Sequence, residues 1–465
     1  MGRSCTSSAP VWPCIAAGTS FFRRPCEHAE WGDRAVRVTV VGAGYVGATS
    51  AVVLAYLGHR VTCVERNAAR LDRWLGGEDP LGEPGLAELR GQVAVEFTSE
   101  ACSIASAEVV IVAVGTPMDD NGRPDLSQLD AATAEIGGLA ADGAIVVIRS
   151  TVPVGTCDRL QNSTLRRLRV VSNPEFLREG QALQDAFFPD RIVAGGPPEA
   201  QRPIEELYGR ILEGRDLPGN PRQEGPPPLL WMSARSAELA KYAANGFLAT
   251  KLSFVNEIAN IAHAVGADAS AVLGSMALDP RIGRHFLRPG LGWGGSCFPK
   301  DTRAFQVIAE GAGYDFVVLR AAIEQNARQL ARFAKAIERA VPSRSTVGLL
   351  GLAFKAGTSD TRESPAIALA RRLIRGGLNV VAYDPGVQQF PDEPRLSVRA
   401  ALVEACADAD AVVIATEWPE FAEMDLTALR LVTRGDLLFD GRNLISPARA
   451  ALAGFRYHGV AGLGD

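Results

Sequence analysis

No stretch of the chain is apolar for anything near the ~20 residues that cross a bilayer, and the longest runs, such as 109–114, fall far short. A basic excess is missing as well. The 48 Lys and Arg stand against 53 Asp and Glu, and the net charge of −5 disfavours a general nucleic-acid binder. Cysteine is sparse: eight in 465 residues, none in a C-x-x-C pair, which excludes a disulfide scaffold and zinc or thioredoxin motifs. The expected setting is a reducing cytoplasm, with no membrane partner, no nucleic acid and no metal. What remains is 47% apolar and 22% charged, an ordinary globular balance with length for two or three domains.

Residues 1–34 carry three of the cysteines (Cys5, Cys14, Cys26), three prolines and no periodic pattern, and read as a disordered extension or an over-long start. A signal peptide is the rival reading, because Arg3 precedes an apolar patch from Val11 to Gly18. That patch is short and broken by Pro13.

From Val36 a β-branched run ends at Gly42 and opens G-A-G-Y-V-G, followed by an apolar helical stretch through Leu57. Gly42, Gly44 and Gly47, with Tyr45 and Val46 between them, form the turn that lets backbone N–H groups and a helix N-terminus approach a pyrophosphate. Gly58 closes the helix, and Glu65 ends the next strand 18 residues after Gly47, where a ribose hydroxyl would be bound. This favours NAD over NADP, although Arg66 next door could receive a 2′-phosphate. Two further strands run into Gly115-Thr116-Pro117 and Ser150-Thr151-Val152-Pro153, loops expected to line the cofactor cleft.

The C-terminal third repeats the plan. T-V-G-L-L reaches Gly351, a helix is expected from about Ser364 to Arg375, and N-V-V-A-Y ends at Asp384. Gly377 precedes Asp384 by seven residues, as Gly58 precedes Glu65. Ala353 and Ala356 stand where the first half has Gly44 and Gly47, so the second half is expected to hold a different nucleotide ligand. Between the halves, Ser233 to His263 contains no proline and has apolar residues at helical spacing, a rod of roughly 45 Å. It is expected to lie between the halves and a second subunit. The Pro- and Gly-rich 213–228 reads as a linker or exposed loop.

Gly290 to Asp301 reads G-L-G-W-G-G-S-C-F-P-K-D. Cys297, framed by Gly294, Gly295 and Ser296, is expected to be nucleophilic, with Lys300 favouring its thiolate and Asp301 as a general base. A thiol beside an NAD site suits aldehyde oxidation, because it adds to the carbonyl, hydride leaves and a thioester remains for water. A buried structural cysteine is the alternative. Lys241 and Asn245 share a helix face, as a donor pair for an oxyanion or as a structural pair. S-N-P-E-F-L-R-E-G is expected to open a helix capped by Asn173, with Glu175 and Glu179 on one face for acid–base work or for the helix dipole. Arg281, Arg284, Arg288, Lys355, Arg362 and Arg442 supply cations near Gly-rich turns, for a diphosphate or simply for solvent.

From about Val36 to Asn443 the chain resembles the UDP-glucose/GDP-mannose dehydrogenase family. The resemblance is carried by G-A-G-Y-V-G, P-L-G-E-P-G-L, V-G-T-P, S-T-V-P-V-G-T, N-P-E-F-L-R-E-G, A-E-L-A-K-Y-A-A-N, G-W-G-G-S-C-F-P-K-D, A-F-K-A-G-T-S-D-T-R-E-S-P and Y-D-P. It implies an NAD-dependent, four-electron oxidation of a nucleotide sugar from alcohol through aldehyde to carboxylate, as in UDP-glucuronate supply for polysaccharide synthesis. Cys297 would carry the thiohemiacetal and thioester, Lys241 and Asn245 would meet the oxyanion, and Asp301 would assist proton transfer. Thr151 and Glu175 would handle water. Glu179, Phe286, Leu287, Arg288, Gly294 and Lys355 would hold the nucleotide sugar, with Arg281 reaching across a homodimer or larger homo-oligomer. The fingerprint residues, Glu65, Arg70, Thr116, Thr151, Lys300 and Arg362 would hold NAD. Glu65 stands where the family more often has aspartate.

The cysteine loop looks most like the UDP-glucose branch. GDP-mannose enzymes have a near-identical loop, and UDP-N-acetylhexosamine enzymes typically carry histidine where Ser296 stands. A non-catalytic nucleotide-sugar-binding protein is the alternative of another class. The expected architecture is α/β, with two Rossmann-like doubly wound domains joined by a long central helix: an extension over 1–34, an NAD domain over 35–230, a central helical dimerisation region over 231–325 and a UDP-sugar domain over 326–465.

Overall fold

The computed structural model describes residues 34–119, 122–218 and 225–460, so the expected disordered extension lies outside the described residues except for Arg34. Fourteen short strands form there: β1 (Arg37–Val41), β2 (Arg60–Val64), β3 (Val95–Thr98), β4 (Val109–Val112), β5 (Ile145–Ile148), β6 (Arg169–Ser172), β7 (Ile192–Gly195), β8 (Leu229–Met232), β9 (Thr346–Leu350), β10 (Asn379–Tyr383), β11 (Leu396–Val398), β12 (Ala411–Ile414), β13 (Leu437–Asp440) and β14 (Arg456–Gly459). β4 and β5 read V-V-I-V and I-V-V-I and are buried at every residue. Continuous apolar strands of this kind require cover on both faces, the condition of a parallel sheet flanked by helices.

The strands make two sheets, β3-β2-β1-β4-β5-β6-β7-β8 and β11-β10-β9-β12-β13-β14. In the first, β1 pairs in parallel with β2 (Val40 opposite Cys63) and with β4 (Val40 opposite Ile111). In the second, β9 pairs in parallel with β10 and β12 in the same way. Strand order therefore reverses at β1/β4 and again at β9/β12, and each reversal opens a crevice at the carboxyl ends of the strands. The repeat seen in the sequence is a repeat of topology. β7 runs antiparallel to β6, and β8 joins β7 in parallel. The Pro- and Gly-rich 213–228 thus precedes the last strand of the first sheet, with 219–224 outside the described residues.

The long helix Ala234–Ala264 starts directly after β8. Its N-cap Ser233 accepts a hydrogen bond from the Ser236 N–H. Its 31 residues span about 46 Å. One stripe of the helix is buried, including Ala237, Lys241, Asn245, Ala249, Ser253, Asn256 and Ala259 at three- and four-residue spacing, against helices Phe298–Gly311 and Val317–Ala340. Gly246 lets the Phe305 ring approach to 3.3 Å of where a Cβ would stand. Among the described residues no helix is long and apolar enough to cross a membrane.

Candidate active site

The first crevice is built by glycine. Gly42 has φ +99°, and a Cβ there would lie 2.7 Å from the Ala113 carbonyl oxygen. A Cβ on Gly47 would lie 1.8 Å from the Gly42 oxygen, so helix and strand pack only with hydrogen at that position. Gly44 has open space around it instead, and as N-cap of helix Tyr45–Tyr56 it supplies no capping side chain. First-turn N–H groups and space beside them fit a dinucleotide pyrophosphate.

Glu65, at the carboxyl end of β2, is buried. Its Oε2 accepts from the Ala43 N–H and Arg70, each at 3.0 Å, and its Oε1 accepts from the Asn67 N–H. Arg66 turns away to Glu135. Thr116 Oγ1 donates to the Thr151 carbonyl at 2.9 Å, joining the loops after β4 and β5. The Tyr45 hydroxyl donates to Glu83 at 2.5 Å, and burial with Glu83 beside it pushes the phenol far upward. Val46 sits between these residues in the first turn of the helix, its carbonyl accepting from Ser50.

In the second crevice Asp384 occupies the place of Glu65. One of its oxygens accepts from the Leu352 and Ala353 N–H groups and from the Trp418 indole. The Leu352 bond repeats that of Ala43 to Glu65, and here the Ala353 N–H, in the place of Gly44, is held as well.

The long helix brings the loop after β6 to the helix that follows the cysteine. Lys241 Nζ donates to Glu175 Oε1 at 2.9 Å, both side chains buried. Asn245 Nδ2 donates to Asp301 Oδ2 at 2.6 Å, and Lys300 Nζ donates to Asp301 Oδ1 at 2.6 Å. Cys297 is the N-cap of helix Phe298–Gly311, and its carbonyl accepts from the Asp301 N–H. Burial pushes the Cys297 thiol upward, and the charge of Lys241 opposes that. Burial likewise works against the charge of Lys241, but Glu175, Cys297 and Asp301 outweigh it and hold the ammonium. Burial opposes ionisation of Glu175, yet the Lys241 charge and hydrogen bond bring its carboxyl below the usual range.

Two expectations are corrected here. Lys300 is spent on its neighbour Asp301, and the cation acting on the thiol is Lys241. Residues 173–180 form no helix. The Asn173 side chain accepts from Arg149 and Tyr208 and donates to the Val193 carbonyl, so it is not free to cap. The Gly180 and Ala182 N–H groups go to Glu83, and the next helix begins at Ala182. Glu175 and Glu179 consequently reach different partners.

Glu179 Oε1 accepts from Ser296 at 2.7 Å and from Arg362 at 3.2 Å. Burial, then Asp360, pushes its carboxyl up to about 7. Arg362 also binds Asp360 at 2.6 Å. Lys355 lies 5.7 Å over the Phe354 ring, and burial lowers its ammonium. A Cβ on Gly294 would be 2.1 Å from the Glu363 oxygen, and one on Gly295 (φ +85°) would be 2.7 Å from the Phe354 ring. These glycines seat the cysteine loop against the C-terminal unit as much as they expose the thiol.

Leu287 is buried with Val255 and Leu273, and the Phe286 ring, at φ +59°, lies 6.3 Å from Phe298. Arg288 is exposed in the same loop, and Arg281 stands apart, bonded to Asp279. Arg442 donates to the carbonyls of Ala415 and Phe354 and is not free for a ligand. Glu83 and Asp360 were missed as individual residues, although each lies inside a quoted motif, and Ser296 was named only as framing Cys297 and as a branch marker. No cluster of His, Cys, Asp and Glu suited to a metal ion occurs among the described residues.

Known proteins match over most of this chain. Models of the UDP-glucose/GDP-mannose dehydrogenase family match in order: its NAD binding domain over residues 36–212, its central domain over 235–328 and its UDP binding domain over 348–447. A UDP-glucose 6-dehydrogenase of Pseudomonas aeruginosa is 42% identical, with 91% of this chain and 97% of that protein covered. A solved UDP-glucose dehydrogenase from Pyrobaculum islandicum is 34% identical with TM-score 0.83, covering 93% and 99%. A solved UDP-D-ManNAc dehydrogenase from Pyrococcus horikoshii is 28% identical with TM-score 0.78, covering 91% and 99%.

Proposed function

The chain belongs to the UDP-glucose/GDP-mannose dehydrogenase family, and from that premise we propose that it oxidises UDP-glucose to UDP-glucuronate through intermediates held on Cys297. The observation that carries this reading is the convergence of Cys297 with Lys241–Glu175 and Asn245–Asp301 at a helix N-terminus between the two crevices. The fingerprint turn, Glu65 and Thr116 would hold NAD in the first crevice, where it would supply the hydride acceptor, a fresh molecule being needed for each of the two oxidations.

Asp301, kept in place by Asn245 and Lys300, takes the proton released on oxidation of the C6 alcohol and passes it to solvent. Cys297 Sγ then bonds to the aldehyde carbon, the C=O π pair moves to oxygen, and the thiol proton ends on that oxygen. Lys241 and Asn245 donate to the oxygen while it carries charge. Loss of the second hydride from this thiohemiacetal leaves the thioester, and Asp301 again takes the proton. Water held by Thr151 and Glu175 adds to the thioester carbon, the C–S bond breaks, and the thiol and the carboxylate are released with a proton.

The ion pair sets the order of these steps. While Lys241 faces Glu175, it offsets the burial of that carboxylate. When the ammonium turns to the oxyanion, the burial is no longer offset and the proton affinity of Glu175 rises, which is when water must be deprotonated.

The test is the NADH formed per sugar consumed, with UDP-glucose limiting and NAD in excess. About two per sugar is expected, since thioester formation follows alcohol oxidation. About one would refute the cysteine-linked second step, and none would move the substrate to GDP-mannose or an N-acetylated UDP sugar.

A further inference from the structure

Glu238 lies one turn before Lys241 on the long helix, is buried to 2% exposure and feels the charge of Arg235 one turn earlier. Oε2 accepts from the Gly155 N–H at 2.6 Å and Oε1 from the Cys157 N–H at 2.8 Å, and the Cys157 thiol donates to the same carboxylate. Those amides open the short helix Thr156–Gln161, which ends the loop that begins at Thr151. A carboxylate so buried would ordinarily be paired with a charge; here the amides of the first turn hold it.

The other end of that loop is fixed too, because the Thr151 carbonyl accepts from Thr116. Within the loop, Thr156 Oγ1 donates to the Pro153 carbonyl, and Gly155 takes φ +93°. The segment from Thr151 to Gly155 is therefore strung between β4 and a single carboxylate of the long helix. Glu238, Lys241 and Asn245 follow one another at three- and four-residue spacing along the buried stripe. We propose that Glu238 is a positioning residue of the reaction, locking the Thr151 loop in register with Lys241 and Asn245 so that the water held by Thr151 meets the carbon bound to Cys297. The assignment rests on the role of Thr151 in the proposed mechanism. A second tie nearby, Arg235 to Asp158 at 2.5 Å, is exposed and joins the same two helices through side chains, with no hydrogen bond to the loop amides that Glu238 holds.

The test compares Glu238→Gln, Thr151→Ala and Arg235→Ala in the full-length enzyme with saturating UDP-glucose and NAD. Glu238→Gln keeps the shape but turns an NH₂ toward one amide, and is expected to lower kcat about 10- to 100-fold, the cost of misplacing a reacting group by up to ~1 Å. KM for the sugar and for NAD should move by less than about threefold, and intact-mass analysis of quenched enzyme should show the sugar acid accumulating on Cys297. Glu238→Asp should recover part of the rate. Arg235→Ala should keep kcat within about twofold.

Wild-type kcat in Glu238→Gln, or a loss that follows only the folded fraction, would overturn the proposal. An equal loss in Arg235→Ala would also overturn it, since any loosening of the helix start would then suffice. Accumulated acyl-enzyme in Thr151→Ala supports the underlying mechanism independently. Its absence there, with Glu238→Gln still slow, would show that Glu238 does not act through Thr151.

Discussion

Cys297 and Glu179 lie on opposite sides of Ser296, which is 3.6 Å from the thiol sulfur and donates to the carboxylate. Their chemistry is separable. Cys297→Ser should lower overall turnover by at least about 10³-fold, because a hydroxyl lacks thiol nucleophilicity. NADH fluorescence titration should give an unchanged affinity, and full turnover would remove Cys297 from the mechanism. Glu179 bears on stability. Its carboxyl is raised from 4.5 to about 7, so between those values the unfolded chain has lost a proton that the folded chain keeps. Stability therefore falls as pH rises through this window, with a penalty of about 3 kcal/mol once the group is ionised. Glu179→Gln keeps an acceptor for Ser296 and Arg362 and offers a permanent donor to Asp360. Wild type and variant should melt alike near pH 5, and the variant should melt higher near pH 8. An equal difference at both values would sink the idea.

The elements that carry these residues differ in how openly they are encoded. Strand β1, the fingerprint turn and the long helix are visible as β-branched runs, glycine spacing and uninterrupted periodicity, because each is shaped by its own residues. Residues 173–181 carry an equally plausible helix-start pattern, but Arg149, Tyr208 and Glu83, all distant in sequence, take the polar groups that the helix needed. The pairing of Lys241 with Glu175, across 66 residues, was hidden for the same reason. The cysteine loop is intermediate: its glycines are visible, but the Phe354 ring that requires one of them is not. Gly295→Ala places a methyl 2.7 Å from that ring in a left-handed conformation, and should cost about 2 kcal/mol and reduce kcat. In a double-mutant cycle read by thermal unfolding, Phe354→Ala should relieve the clash while the backbone strain remains. Strict additivity would mean that ring and loop do not meet.

Across the whole molecule, one long helix separates the two sheets in sequence, and its buried stripe supplies Glu238, Lys241 and Asn245. The opposite stripe is apolar and, among the described residues, uncovered. Phe247, Phe254 and Ile261, each more than half exposed, recur every seven residues, the spacing at which one helix packs along another. Val265 extends the stripe at the helix end, and Leu278 and Ile282 continue the exposed apolar surface past it. The partner this stripe fits is the same stripe of a second copy, since a two-fold axis across the helix buries it against itself. Arg281, the residue expected to reach across an oligomer, is exposed and adjoins Ile282 on that surface, bonded to Asp279. Sedimentation should therefore give at least twice the 49.3 kDa of one chain. Phe254→Glu puts a charge at the centre of the stripe and should shift the mass toward a single chain, with turnover falling in proportion to the dissociated fraction. Because the Lys241 face is untouched, concentrating the variant until it reassociates should restore the rate. An unchanged mass would place the assembly surface elsewhere, and a monomer with full activity would confine each site to one chain and remove Arg281 from it.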